Sequence, residues 1–234
     1  MFRNCWSVKT RVLVLAMDTS LSACSAAVWR DGAVLAYRFE VMERGQSEAL
    51  MPMIADVMEE AKTAFDALDL IGVTVGPGAF TGLRIGLAAA RGIGLGAHVP
   101  VVGVSTPYAL AHAVPEDERN GRTITAIVDS KREDVFVQDF DSSFHPLGPI
   151  RISPPELVFA GTAVRVVAVG NGLNKIECLP ENVLRSSASP FPHASLVASL
   201  AASHHDDGSA LPAAPLYLRA ADTTCTAPSG RTVT

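Results

Sequence analysis

The segment from Gly76 to Gly96, GPGAFTGLRIGLAAARGIGLG, limits the folds open to this chain more than any other stretch. It follows a short apolar run, LIGVTVG, opens as a glycine-rich turn, and continues as residues that read as a helix. A strand feeding a turn and then a helix is a building unit of α/β sheets. Yet each glycine in a helix interior costs about 1 kcal/mol against alanine. A helix with several needs an offsetting gain, and close approach of another element provides one. On a helix, Gly82, Gly86, Ala90 and Gly94 are each four residues apart, Ala89, Ile93 and Ala97 join that face, and Arg84 and Arg91 lie opposite. Spacing alone suits two uses equally: packing on the protein's own sheet, or contact with a helix of another molecule.

Glycine-rich turns before helices also cradle phosphate. A Walker-type loop needs Gly-x-x-x-x-Gly-Lys followed by Ser or Thr, but Leu83 and Arg84 follow Gly82. A dinucleotide turn needs Gly-x-Gly-x-x-Gly, and a carboxylate about 20 residues on for the ribose. Here the third glycine arrives one residue late, and no Asp or Glu occurs between Asp69 and Glu116. Both standard phosphate loops fail.

The rest of the chain reads as the same kind of fold. RVLVLAMD is a buried strand ending in a carboxylate, and SACSAAVW and AVLAYRFE flank Arg30-Asp31-Gly32, a hairpin signal. A three-stranded antiparallel meander therefore opens the chain. In SEALMPMIADVMEEAK, Leu50, Met53, Ile54, Val57 and Met58 recur at helical spacing. Ser47 is placed to cap this helix, and Pro52 implies a later start or a kink. Met42, Met51, Met53 and Met58 suit either an adaptable contact surface or an ordinary core face. VPVVGV is another strand and TPYALAHAV a short helix. The polar break PEDERNGR divides the chain into lobes 1–114 and 115–234. In the second, TITAIVDS is a strand ending at Asp129, DVFVQDF pairs back on it, VRVVAVGNG is a third strand and PHASLVASLAAS a helix. From about residue 222 the tail is polar and is expected to be disordered. Strand, carboxylate and hairpin recur in both halves, which hints at an internal duplication.

Composition narrows the function classes. Of 234 residues 48% are hydrophobic and 18% charged, enough apolar mass for a real core. A net charge of −5 supplies no basic face for binding nucleic acid alone. No stretch reaches the ~20 apolar residues that span a bilayer, and the run from Val12 to Met17 is too short for a signal peptide. Cys5, Cys24, Cys178 and Cys225 are too scattered for a zinc knuckle or redox pair, and read as free thiols of a reducing cytoplasm. No histidine pair has metal-site spacing, and His204-His205 beside Asp206-Asp207 reads as a solvated helix end. Asp18-Thr19-Ser20 and Asp129-Ser130 sit at strand ends, where such turns present hydroxyls and N–H groups to phosphate and a carboxylate to metal. The same residues are also ordinary turn formers. No complete catalytic set is present.

VLAMDTSLSACSAAVWRDG, QSEALMPMI, GPGAFTGLRIGLAAARGIGLG and PVVGVSTPYALA resemble, in order and spacing, the bacterial TsaB (YeaZ) family. The likeness is dense from about Val12 to Ala111 and thins to IVDSKREDVF, VGNG and PLYLR. It implies a two-lobed, duplicated ribonuclease-H-like fold shared with actin, sugar kinases and chaperone ATPases. It also implies a part in making threonylcarbamoyladenosine next to the anticodon of tRNA. In that system TsaD carries the metal and transfers the group, TsaE is an accessory ATPase, and TsaB is a non-catalytic partner that also pairs with itself. ATP or ADP and metal then belong to the partner subunits, and this chain alone needs no cofactor. The His-x-x-x-His pair by which TsaD-type proteins hold metal has no counterpart here. The likeness places the contacts on the first two helices, Ser47–Lys62 and Thr81–Gly96. It therefore favours an intermolecular role for Leu50, Met53, Ile54, Val57, Gly82, Gly86, Ala89, Ala90, Ile93 and Gly94.

Ala79, where many relatives have Ser, and Gln46, where many have His, depart from the pattern. SKRED replaces a more usual ARRGE-like turn and weakens any nucleotide role for Asp129. Under the scaffold expectation, Gly86→Leu abolishes pairing with TsaD and leaves the monomer folded. Two alternatives compete with it: an actin-like ATPase or small-molecule kinase using Asp18 and Asp129, and a glycopeptidase-like peptidase.

Overall fold

The computed structural model describes residues 12–218. The meander forms as expected from β1 (Leu13–Asp18), β2 (Ala23–Arg30) and β3 (Ala33–Val41). Its second turn needs left-handed backbone at both central residues, and Asp31 (φ 49°) and Gly32 (φ 89°) supply it. Helix α1 (Gln46–Glu60) buries Leu50, Met53, Ile54, Val57 and Met58 against the first sheet. It starts at Gly45, which takes φ 97°, and not at a Ser47 cap: the Ser47 hydroxyl donates to Glu48 instead. The helix runs unbroken with Pro52 inside it.

Strand β4 (Leu70–Gly76), α2 (Phe80–Ala97), β5 (Val101–Ser105) and α3 (Thr106–His112) complete the first half, with β4 and β5 parallel to β1. The polar break holds a single turn, α4 (Glu116–Arg119). Then follow β6 (Thr123–Asp129), β7 (Val135–Phe140), β8 (Arg151–Ser153), β9 (Val166–Val169), β10 (Val183–Arg185), α5 (Ala194–Asp207) and β11 (Leu211–Pro212). The strands order as β11-β5-β4-β1-β2-β3 in one sheet and β10-β9-β6-β7-β8 in the other. In both, the first strand is interior, with the other two strands of its antiparallel meander on one side and two parallel strands on the other; the first sheet adds β11, antiparallel to β5, at its edge. This is the duplicated ribonuclease-H-like pattern.

The helices do not repeat so faithfully. Where the first lobe has α1 and α2, the second has only the 3-10 turns Pro155–Leu157 and Asn171–Lys175. The closing helices also cross over. Ala194, Val197, Ala198 and Ala201 of α5 pack on Val14, Ala16, Ala27 and Leu70 of the first sheet. Leu110 and Ala111 of α3 pack on Ile124, Ala126 and Val128 of the second. β11 returns to pair with β5. Helix α5 and strand β11 therefore pack with the first lobe, although they follow the break at 115.

His112 sits where the lobes meet, 3.9 Å from the Phe144 ring and 4.1 Å from Tyr108. Arg119 covers the same Phe144, and His204 reaches Tyr108 from α5. His204 is thus half-buried and not the solvated group expected of it. Cys24 is buried and Cys178 exposed, both as free thiols; Cys5, Cys225 and the tail from 222 lie outside the described residues. Among the described residues no helix is long and apolar enough to cross a membrane.

Burial pushes the His112 imidazole down to about 4, with His204 and Arg119 adding to the effect against the Tyr108 carbonyl. A neutral buried histidine supports the fold fully above its ordinary value of 6.5, and that support is lost as pH falls towards 4. We expect His112→Gln to flatten the fall in melting temperature between pH 6.5 and 4, a difference on the order of 2–3 kcal/mol. Parallel melting curves against pH for the two proteins would contradict this.

Candidate functional site

Strand β1 ends at Asp18, and the chain turns through Thr19 and Ser20. Strand alternation puts Asp18 on the α5 face with Val14 and Ala16. Its Oδ1 accepts from the Ser20 N–H (3.1 Å), the Ser20 hydroxyl (2.6 Å) and the Thr74 hydroxyl (2.5 Å). Its Oδ2 is buried without a partner. Burial pushes the carboxyl up from 3.8 to about 6, against the pull of Ser20 and Thr74.

Helix α2 lies directly on this turn. A Cβ at Gly78 would stand 2.2 Å from the Ser20 carbonyl oxygen, and one at Gly82 would stand 2.1 Å from that of Thr19. One at Gly86 would stand 2.6 Å from Thr19 Oγ1, and one at Gly94 2.5 Å from Val101 Cγ2. The contact is bonded as well as close. The Ala79 N–H donates to the Ser20 carbonyl (2.8 Å), and the Thr19 hydroxyl donates to the Gly82 carbonyl (2.7 Å).

Two expectations change here. Gly82, Gly86, Ala90 and Gly94 face the protein's own sheet, because only a residue without a side chain, or with a methyl, fits there. Leu50, Ile54 and Val57 are likewise inside the monomer, Met53 is 8% exposed, and only Ala89 and Ile93 reach the half-buried edge. Asp18, Thr19 and Ser20, expected as a phosphate turn, are at most 1% exposed, with α2 lying on the Thr19 and Ser20 backbone.

The second strand-end turn is also closed, in a different way. Asp129 shares a face with Ile127, towards the turn at Leu173. Lys175 Nζ lies 2.6 Å from its Oδ1 and Lys131 Nζ 3.7 Å from its Oδ2. The Lys131 N–H donates to Oδ1 at 2.7 Å. Burial would raise this carboxyl, but the bonds and charges of Lys175 and Lys131 hold it below its ordinary value. The Ser130 hydroxyl donates to the Asp134 carbonyl and carboxylate. Among the described residues no three His, Cys, Asp or Glu side chains converge as metal ligands.

What α2 leaves open is a different stripe. Thr81, Arg84, Ala88, Arg91, Gly92, Leu95 and Gly96 are exposed, Leu95 by 78%. Nothing lies within 4 Å of a Cβ placed at Gly92 or Gly96. Ala88, Gly92 and Gly96 are four apart, so the signal was present in the same spacing but on the turn of helix beside Arg84 and Arg91. Met51 and Ala55 are exposed on α1. At the start of α2, Tyr217 of the PLYLR segment stacks on Phe80 and accepts from Arg84 Nε at 3.0 Å. The Leu216 N–H donates to the Val75 carbonyl.

The two stripes separate by mutation. Gly86→Leu should cost more than about 3 kcal/mol and yield little folded protein, whereas Gly92→Leu should keep the wild-type melting temperature or raise it. A folded Gly86→Leu protein with wild-type stability would overturn the packing. For Asp18, the stabilising protonated form is complete below 3.8 and is lost as pH rises through about 6. Asp18→Asn, which carries no charge, should melt higher than wild type at pH 7.5, by an energy on the order of 3 kcal/mol at most, and the gap should close near pH 4. A gap that is constant from pH 4 to 8 would rule this out.

Residues 40–199 match the family model "TsaD: tRNA N6-adenosine threonylcarbamoyltransferase". The chain is similar to the tRNA threonylcarbamoyladenosine biosynthesis protein TsaB of Escherichia coli, 36% identical over 128 residues, 54% of each protein. It thus spans about half the length of that relative. The TsaB protein of Buchnera aphidicola subsp. Baizongia pistaciae is 28% identical over 80% of this chain and 87% of its own length. Among solved structures, YeaZ from Pseudomonas aeruginosa superposes with a TM-score of 0.75 at 31% identity, covering 88% of this chain and all of that one. On both the sequence and the fold, the chain belongs to the TsaB (YeaZ) family, within the wider group that the TsaD family model describes.

Proposed function

We propose that this chain is a non-catalytic subunit that holds TsaD in working form while a threonylcarbamoyl group passes to the adenosine next to the anticodon of tRNA. The relatives' name, tRNA threonylcarbamoyladenosine biosynthesis protein TsaB, supports the pathway. The scaffold role rests on one observation. Both strand-end turns are closed by the protein's own atoms, the Thr19–Ser20 backbone by α2, with Asp18 buried beside it, and Asp129 by Lys175, while α2 keeps an open outer strip of small residues. Ala88, Gly92 and Gly96 let a partner's helix approach closely, and Leu95 and Met51 supply apolar contact beside it. In this reading the same strip serves a homodimer when the chain is alone, TsaE joins the assembly, and nucleotide and metal are held by the partner subunits in the cytoplasm. tRNA is reached through the complex.

The actin-like ATPase reading requires the Asp18 turn to open to solvent, and the peptidase reading lacks a metal pair; neither has a structural observation in its favour. The test is co-purification with TsaD and TsaE, followed by tRNA modification with this subunit omitted or replaced by Gly92→Leu/Leu95→Glu. The double variant should keep its melting temperature, elute as a monomer and bind TsaD at least tenfold more weakly. Unchanged affinity for TsaD would refute the strip as the contact. Micromolar ATP binding by the chain alone, lost in Asp18→Asn, would favour the ATPase instead.

A further inference from the structure

The lobes share a strand order but not a covering. In the first, α1 and α2 lie on the sheet's outer face. In the second, the matching connections are the two 3-10 turns, and Val158, Phe159 and Leu173, with Ile176 and Leu179 at the edge, cover Ile127, Val135, Val137 and Ala168. Where two helices would lie, the second lobe has an open cleft of about 550 Å³. That volume falls within the range of sites that bind small molecules.

The cleft is lined by Phe159, Ile176 and Pro180, and by Glu133, Glu156 and Glu177. The glutamates come from three separate segments: the β6–β7 turn, the connection from β8 to β9, and the connection from β9 to β10. All three are exposed. Lys175 also lines the cleft, but its ammonium is held by Asp129 at 2.6 Å and by the Arg132 and Asp134 carbonyls. The glutamates therefore set the charge of the opening. An apolar floor under three carboxylates favours a ligand that is both aliphatic and cationic, and repels the phosphates of a nucleic acid.

We propose that this cleft binds an extended basic segment of a partner protein, with Lys or Arg side chains on Glu133, Glu156 and Glu177 and aliphatic side chains on Phe159, Ile176 and Pro180. It lies on the other lobe from the α1–α2 face, so such a segment docks independently of whatever covers that face.

The probe is a fluorescent, end-blocked Lys-Leu-Lys-Leu-Lys peptide titrated into the full chain at low salt and read by anisotropy. Cys178 is exposed and lines the cleft, so its alkylation by N-ethylmaleimide, located by mass spectrometry, gives a second readout. Buried Cys24 serves as the unreactive reference. We expect saturable binding, slower Cys178 alkylation with peptide present, and about tenfold weaker binding to the folded variant Glu133→Gln/Glu156→Gln/Glu177→Gln. The substituted residues are exposed, so the variant should melt as wild type does. Absence of saturation, equal binding to the triple variant, or unchanged Cys178 alkylation would overturn the proposal. So would equal binding of Glu-Leu-Glu-Leu-Glu. Equal protection of Cys178 by spermidine would reassign the cleft to small polycations.

Discussion

The backbone of Thr19 and Ser20 lies so close to α2 that no side chain fits between them, and much of the first lobe follows from that contact. It seats the helix on the ends of β1 and β4, with the Thr19 hydroxyl on the Gly82 carbonyl and the Ala79 N–H on Ser20. On the opposite face of the sheet, at the same turn, Asp18 Oδ1 gathers Ser20 and Thr74. The contact also rolls α2 so that Gly82, Gly86 and Gly94 face inward and Ala88, Gly92 and Gly96 face out. The helix propensity lost at the inner glycines is offset by bonds and contacts that any side chain would prevent.

The same contact closes the first strand-end turn to solvent. Strand ends with Asp, Ser and Thr suit phosphate and metal when their donors and carboxylates meet solvent. Here one turn is covered by a helix and the other is neutralised by lysines. A buried carboxylate with a free oxygen is costly, and the three bonds to Oδ1 offset part of that cost.

The sheets are legible in the sequence because each strand carries a local signal. Asp31-Gly32 marks its hairpin, and Val14 and Ala16 alternate with Leu15 and Met17 between two covering layers. The outer pairs β10 and β11 are too short to leave such a pattern, and which sheet α5 covers is a long-range fact with no local trace. Which residues of α2 face inward is illegible for a related reason. Glycine at i, i+4 spacing says that something comes close, but not whether it is the Thr19 carbonyl or another molecule. Two such stripes interleave on α2, and only the position of Thr19 tells them apart. At Ser47, a good capping residue is bypassed because Gly45 already supplies the left-handed entry.

The exchange of helices between the lobes has a mechanical consequence. Domain closure around a ligand needs two bodies free to swing about a hinge. Here α5 leaves the second sheet to lie on the first, and α3 lies between the two, with Ala109 in the first core and Leu110 and Ala111 in the second. Because α3 touches both sheets, such a swing would have to break its contacts with one of them, those of Ala109 with the first or those of Leu110 and Ala111 with the second.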